Sequence, residues 1–210
     1  FDGRVYTHFP PLFSILAFPV VGLFGGVPHI FLVAGVFLPI LLLAYVLLVR
    51  LTGSVAWGAA FCIALMCGTS AWPVLQLTLR TASPYMVNQA LALLGLLILL
   101  AEYFGKRRIL VAGLGVAMAA LARQLSVFYL LPLGWMAWRK PTGSERRRSM
   151  SGAAAVTAIV VGVPLLLNTL KFSGPFDSGY MHVYADRPAY DFSRDARAYG
   201  LFSPHYVSRN

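Results

Sequence analysis

Charge is scarce in this chain, and negative charge is scarcer still. Only 11% of its 210 residues are Asp, Glu, Lys or Arg, and just seven are acidic. A soluble domain carries about 25% charged residues, because a chain of this size has a large surface to cover with polar groups. Here the apolar share is 59% and the mean hydropathy is +0.73, an excess that one soluble core cannot hide. Lipid is the solvent that tolerates it. Cysteine is nearly missing too: Cys62 and Cys67 share one apolar run, lie on different helix faces, and have neither disulfide nor metal-ligand spacing. No Gly-rich phosphate loop, Ser/His/Asp set or zinc motif occurs. The net charge of +10 would suit nucleic acid, but the basic residues punctuate apolar runs and do not stripe a face, so nucleic acid is not an expected partner. Phe1 opens the sequence without a signal peptide and Arg209-Asn210 closes it in polar territory, which leads us to expect an internal fragment of a longer protein.

What is present is a series of apolar runs. Crossing the hydrocarbon core takes about 20 helical residues, and Val27–Val49, Val55–Leu79, Tyr85–Phe104 and Gly152–Leu170 all qualify by composition. Pro73 is expected to bend the second of these, and the basic loop Arg139–Arg148 precedes the last. Ile109–Trp138 is broken near its middle by Arg123 and Gln124. It is either one overlong helix or two short ones in a hairpin with Arg123 at the turn. The positive-inside rule favours the hairpin, because Arg50, Lys106–Arg108, Arg139, Lys140 and Arg146–Arg148 then share one side. Leu12–Phe24 is short, contains Pro19 and precedes Gly25-Gly26. It reads as a helix in the outer interface, since counting it as a crossing would invert the charge asymmetry. The expected fold is therefore all-α: a polytopic transmembrane helix bundle of about six crossings plus one interfacial helix. Its bundle covers residues 1–171, and an aromatic-rich outer loop covers 172–210. Two overlapping pairs of small residues, Gly113 with Ala117 and Gly115 with Ala119, are placed for close helix packing.

Chemistry is sought first at ionisable groups inside apolar sequence, each of which costs about 2.5–3.5 kcal/mol at mid-helix. Arg123 is the sharpest candidate. The runs on either side of it are too short to reach the far surface, so it would sit sunk below the outer headgroups. A guanidinium there calls for an anion, and a lipid-linked phosphate or an ordinary membrane lipid headgroup would supply one. Gln124 stands beside it. Arg80, at the outer end of its span, is a second candidate clamp for an anionic headgroup. Asn88 and Gln89 open the next helix and either face the same cavity or bond neighbouring helices. His8, beside the Pro10-Pro11 turn, could position a phosphate or carry a proton. Asp2 is a candidate carboxylate base, but no partner acid accompanies it. No metal ligand set is expected. A divalent cation stays an open question on sequence grounds.

Three segments in order give the chain a family likeness. The first is Asp2–Leu12 running into Phe13-Ser14-Ile15-Leu16 and on to Leu23-Phe24-Gly25. The second is Ala112-Gly113-Leu114-Gly115 through Ala122-Arg123-Gln124. The third is Asn168 to Tyr180, with Ser173-Gly174-Pro175-Phe176. Together they resemble the GT-C superfamily of membrane glycosyltransferases, in particular the type that uses dolichyl-phosphate mannose on protein. The resemblance implies transfer of a sugar from a polyprenyl-phosphate donor to an acceptor at the extracytoplasmic face of the cell membrane. It implies an acidic residue as base and basic residues on the lipid phosphate, with His8 bordering the donor site and Arg123 a phosphate ligand. The family's base lies upstream of the Pro-Pro segment, so the catalytic acid is expected before residue 1 and the 210 residues alone are expected to transfer no sugar. A transporter or flippase of lipid-linked intermediates, or a non-catalytic membrane subunit, is the alternative, although no inverted repeat of the kind such transporters carry is visible.

Overall fold

The computed structural model describes residues 12–68, 72–73, 75–77, 84–172 and 174–176, and among these every regular element is helical. Helix α1 is Leu12–Phe24, with the bounds expected from its composition. Helix α2 runs His29–Thr52 and contains one π-helical turn, Val33–Phe37. Gly53, in the left-handed region at φ 68°, ends it, and the Ser54 hydroxyl accepts from the Trp57 amide to start α3, Val55–Cys67. A glycine cap followed by a serine N-cap makes a tight reversal. It lays α3 back along α2 so closely that a Cβ on Gly58 would stand 2.6 Å from a Val49 methyl.

The second run is interrupted within its length, with residues 72–73 and 75–77 helical again beyond the break. Helix α3 is 13 residues long and stops at Gly68, whose amide bonds the Ala64 carbonyl at 2.7 Å. The apolar run extends to Leu79, but a glycine at the cap costs less than continuing the helix through it. Helix α4 is Pro84–Tyr103. Helix α5, Ile109–Ala122, ends where Arg123 turns extended at φ −146°, and a 3-10 segment, Gln124–Tyr129, leads into α6, Leu130–Trp138. The end of α4, the start of α5 and the end of α6 converge, since Tyr103, Arg107, Trp135, Met136 and Arg139 line one small cleft. The Ile109–Trp138 stretch is thus folded back on itself.

Helix α7, Gly143–Phe172, begins earlier than expected. Arg146–Arg148 lie in its first turns and not in a loop. The reason was legible: Thr142-Gly143-Ser144-Glu145 is a capping sequence, and the Thr142 hydroxyl accepts from the Glu145 amide at 3.2 Å. Beyond Val161 the helix belongs to a second compact unit. There the Asn168 side chain donates to the Pro175 carbonyl at 3.2 Å, tying down the turn after the helix.

Within the unit that ends at Val161, α4 is the shared wall of two cores. One joins Val87, Leu91 and Leu94 of α4 to Leu32, Phe37, Ile40 and Ala44 of α2. The other joins Leu99 to Ala112, Val116 and Ala120 of α5, Leu133 and Met136 of α6, and Val156 and Val160 of α7. The outward faces stay apolar: Phe18, Leu110 and Leu131 are 80%, 71% and 72% exposed. Among the described residues three helices are long and apolar enough to cross a membrane, His29–Thr52, Tyr85–Tyr103 and Gly143–Lys171.

The small residues hold the walls together, on two different faces of α5. Gly115 and Ala119 meet α4, where a Cβ on Gly95 would stand 2.4 Å from the Gly115 carbonyl oxygen; Gly113 meets α7, where its Cβ would stand 2.5 Å from a Val156 methyl. Gly95→Val is therefore expected to cost about 1–3 kcal/mol by overpacking. Gly134→Ala, where a Cβ meets nothing within 4 Å, is expected to leave stability unchanged or slightly raised. Thermal unfolding of both variants in the same detergent checks the pair.

Candidate functional site

The bundle has one strongly basic end. Helix α2 delivers Arg50 there, with a terminal nitrogen 3.1 Å from where a Cβ on Gly105 would stand. The α4–α5 connection supplies Lys106, Arg107 and Arg108, and Arg107 shares a cleft with Arg139 of the α6 end. Arg139 lies over the Trp135 ring at 4.7 Å, and Arg146 over Trp138 at 5.3 Å. The basic clusters that the hairpin was expected to bring to one side are drawn together at one end of the bundle.

Glu102, an acidic residue near the end of α4, organises this end. Its side chain is 8% exposed. It accepts from the Arg108 amide at 3.0 Å and from the Arg108 guanidinium through Nε at 3.0 Å and through a terminal nitrogen. Its backbone carbonyl accepts from the Arg107 amide at 2.9 Å. The carboxylate beside Arg108 holds that guanidinium's proton more tightly than usual. The signal in sequence was a lone acid in the last turn of an apolar helix, six residues before an arginine.

The other end of the hairpin is different. Helix α5 has 14 residues, so Arg123 stands about 21 Å from the Ile109 end, whereas α4 and α2 run about 30 and 36 Å. Its backbone is well tied, with its amide on the Ala119 carbonyl at 2.8 Å and its carbonyl accepting from Ser126 at 2.9 Å. The tip is thus held part-way along the bundle.

A cavity of about 510 Å³ opens at this tip. Phe37, Ile40 and Leu41 of α2, Leu65 and Met66 of α3, and Ala90, Leu93 and Leu96 of α4 make its apolar wall; the polar groups on it are Gln89, Arg123, Ser126 and Tyr129. Phe37 closes the π-helical turn of α2, an irregularity common at functional sites. Ser126 and Tyr129 both lie in the 3-10 segment, where residues three apart stack in line; an α-helix would set them about a sixth of a turn apart. Arg123, extended at the head of the segment, reaches the same wall.

Of the residues singled out from sequence, Arg123 lines the cavity and Gln124 is exposed outside its lining. Gln89 and Asn88 divide the two roles foreseen for them. Gln89 is on the cavity wall, while Asn88 is buried and accepts the Phe13 amide at 3.2 Å, fastening α1 to α4. Asp2, His8 and Arg80 lie outside the described residues. Ser126 and Tyr129 were missed, since their alignment depends on the helix type. Among the described residues no three His, Cys, Asp or Glu side chains converge on a possible metal position.

Chemically, the cavity is a greasy slot with one cation and three neutral hydrogen-bonding groups. It suits an amphiphile with a long apolar chain and a single anionic group. At the opposite end, Glu102→Gln is expected to lower the thermal midpoint by several degrees, because a neutral amide forfeits the charge-assisted bonds that shape the α4–α5 turn. Glu145→Gln, exposed on α7, serves as the control and is expected to shift it little when both are followed by thermal unfolding. No known protein family, curated protein or solved structure matches this chain.

Proposed function

We propose that the chain is part of an integral membrane glycosyltransferase that takes a sugar from a polyprenyl-phosphate donor at the extracytoplasmic side of the cell membrane. The observation that carries the reading is the placement of Arg123 on an apolar cavity at the hairpin tip. The apolar wall suits an isoprenoid chain and the guanidinium suits its phosphate. Gln89, Ser126 and Tyr129 offer hydrogen bonds to the sugar or to the remaining phosphate oxygens.

The resemblance to GT-C enzymes supplies the reaction. A carboxylate takes the proton of the acceptor hydroxyl, the freed oxygen attacks the anomeric carbon, and the bond from that carbon to the phosphate oxygen breaks. Polyprenyl phosphate leaves with the negative charge, which Arg123 stabilises as it develops. The base is not assigned to any described residue. On this reading the shorter helices α3, α5 and α6 complete a bundle of about six crossings, with the basic end on the cytoplasmic side and the Arg123 cavity opening toward the other.

In the intact protein, Arg123→Ala is expected to abolish sugar transfer and weaken polyprenyl-phosphate binding by about 10–100-fold, as loss of a charge-assisted phosphate contact implies. Membrane insertion should be unchanged, and Arg123→Lys should retain part of the binding. Transfer assays with a radiolabelled donor, beside binding of the sugar-free polyprenyl phosphate, make the check. Full binding without transfer in the wild type would point to a carrier or a flippase.

A further inference from the structure

The basic end carries a second cleft, separate from the Arg123 cavity. It has a volume of about 200 Å³ and is lined by Tyr103, Arg107, Trp135, Met136 and Arg139. Two guanidiniums line it and no carboxylate does. Glu102, the acid nearest in sequence, is engaged by Arg108, and among the described residues neither Arg107 nor Arg139 forms an ion pair. Two unneutralised cations on one small concavity call for a shared anion.

The backbone is committed to this arrangement. Arg107 sits at φ 54°, in the left-handed region where Gly or Asn would be the relaxed choice. The two successive arginines thereby serve different partners: Arg108 closes on Glu102, and Arg107 lines the cleft. Arg139 is steadied by its stack on Trp135.

The surroundings name the source of the anion. Leu131, Trp135 and Trp138 recur along one exposed face of α6, and Leu110 of α5 is exposed as well. An exposed apolar strip leading away from a cationic cleft, with indoles beside the arginines, is the pattern of a headgroup pocket at a membrane interface. We propose that Arg107 and Arg139 hold the phosphate of an anionic phospholipid, whose acyl chains lie along the Leu131–Trp135–Trp138 face. This rests on the membrane reading of the three long helices and is independent of any sugar transfer.

The test uses the purified chain in neutral detergent, with phosphatidylglycerol, phosphatidylcholine and inorganic phosphate as probes, and native mass spectrometry with thermal unfolding as readouts. Phosphatidylglycerol is expected to bind and to raise Tm, and the other two are not. The Arg107→Gln/Arg139→Gln double variant is expected to lose about tenfold in affinity per guanidinium. The Arg147→Gln/Arg148→Gln variant, which removes the same charge from the same end, is expected to bind normally. Equal loss in both double variants overturns the site in favour of general charge attraction. Equal response to phosphatidylcholine overturns the anion. An equal response to inorganic phosphate overturns the lipid and leaves a soluble phosphate. Should the double variant not fold, Arg139→Lys keeps the charge but loses the planar fork; about tenfold weaker binding is then expected, and undiminished binding overturns the proposal.

Discussion

The close approach of α4 and α5 is the contact on which both ends of the bundle depend. Gly95 and Gly115 face each other with so little room that neither could carry a Cβ without meeting the other's carbonyl oxygen. Inside lipid no hydrophobic drive pushes helices together, so van der Waals contact between backbones is the main source of cohesion. Locking α5 to α4 at this point fixes where Arg123 falls along the bundle, since the helix between them is rigid. It also fixes the α4–α5 turn at the opposite end, where the buried Glu102 receives Arg108.

From that lock the two polar regions follow as a contrast. The hairpin tip carries a single guanidinium in an apolar setting, with neutral hydrogen-bonding groups around it. The basic end carries many cations, one buried carboxylate and a rim of tryptophans. A cation is tolerated in the first place only if an anion or water reaches it. At the second, the cations stand at helix ends and in a connection, where arginine stems and indoles pack together. The two proposed ligands, a donor phosphate at the tip and a phospholipid at the basic end, would occupy separate places in one bundle.

Much of this was legible residue by residue. Leu12–Phe24 was read with its bounds because it is a short apolar run closed by Gly25-Gly26. The fold-back at Arg123 followed from charge, since a single long helix would have put Lys106–Arg108 and Arg139–Arg148 on opposite sides. Two local signals were passed over. The capping sequence at Thr142 starts α7 nine residues before the apolar run begins at Gly152, because a helix can extend into water well beyond the part that lipid requires. Gly68 stops α3 inside an apolar run, because hydropathy measures the solvent a segment prefers and is silent on where its backbone turns.

Sequence alone determined the class of the molecule: scarce charge and long apolar runs commit it to helices that satisfy their own backbone in lipid, and the spacing of basic residues determined which helix ends gather together. Only the tertiary structure decided what those helices enclose. It split Gly113 and Gly115 between two partners, parted Asn88 from Gln89, and used a 3-10 segment to stack Ser126 with Tyr129 on the wall that Arg123 also lines. These outcomes turn on phase, on which side of a helix meets a neighbour and at what depth. Phase is set by contacts between segments distant in sequence, which composition and hydropathy do not record.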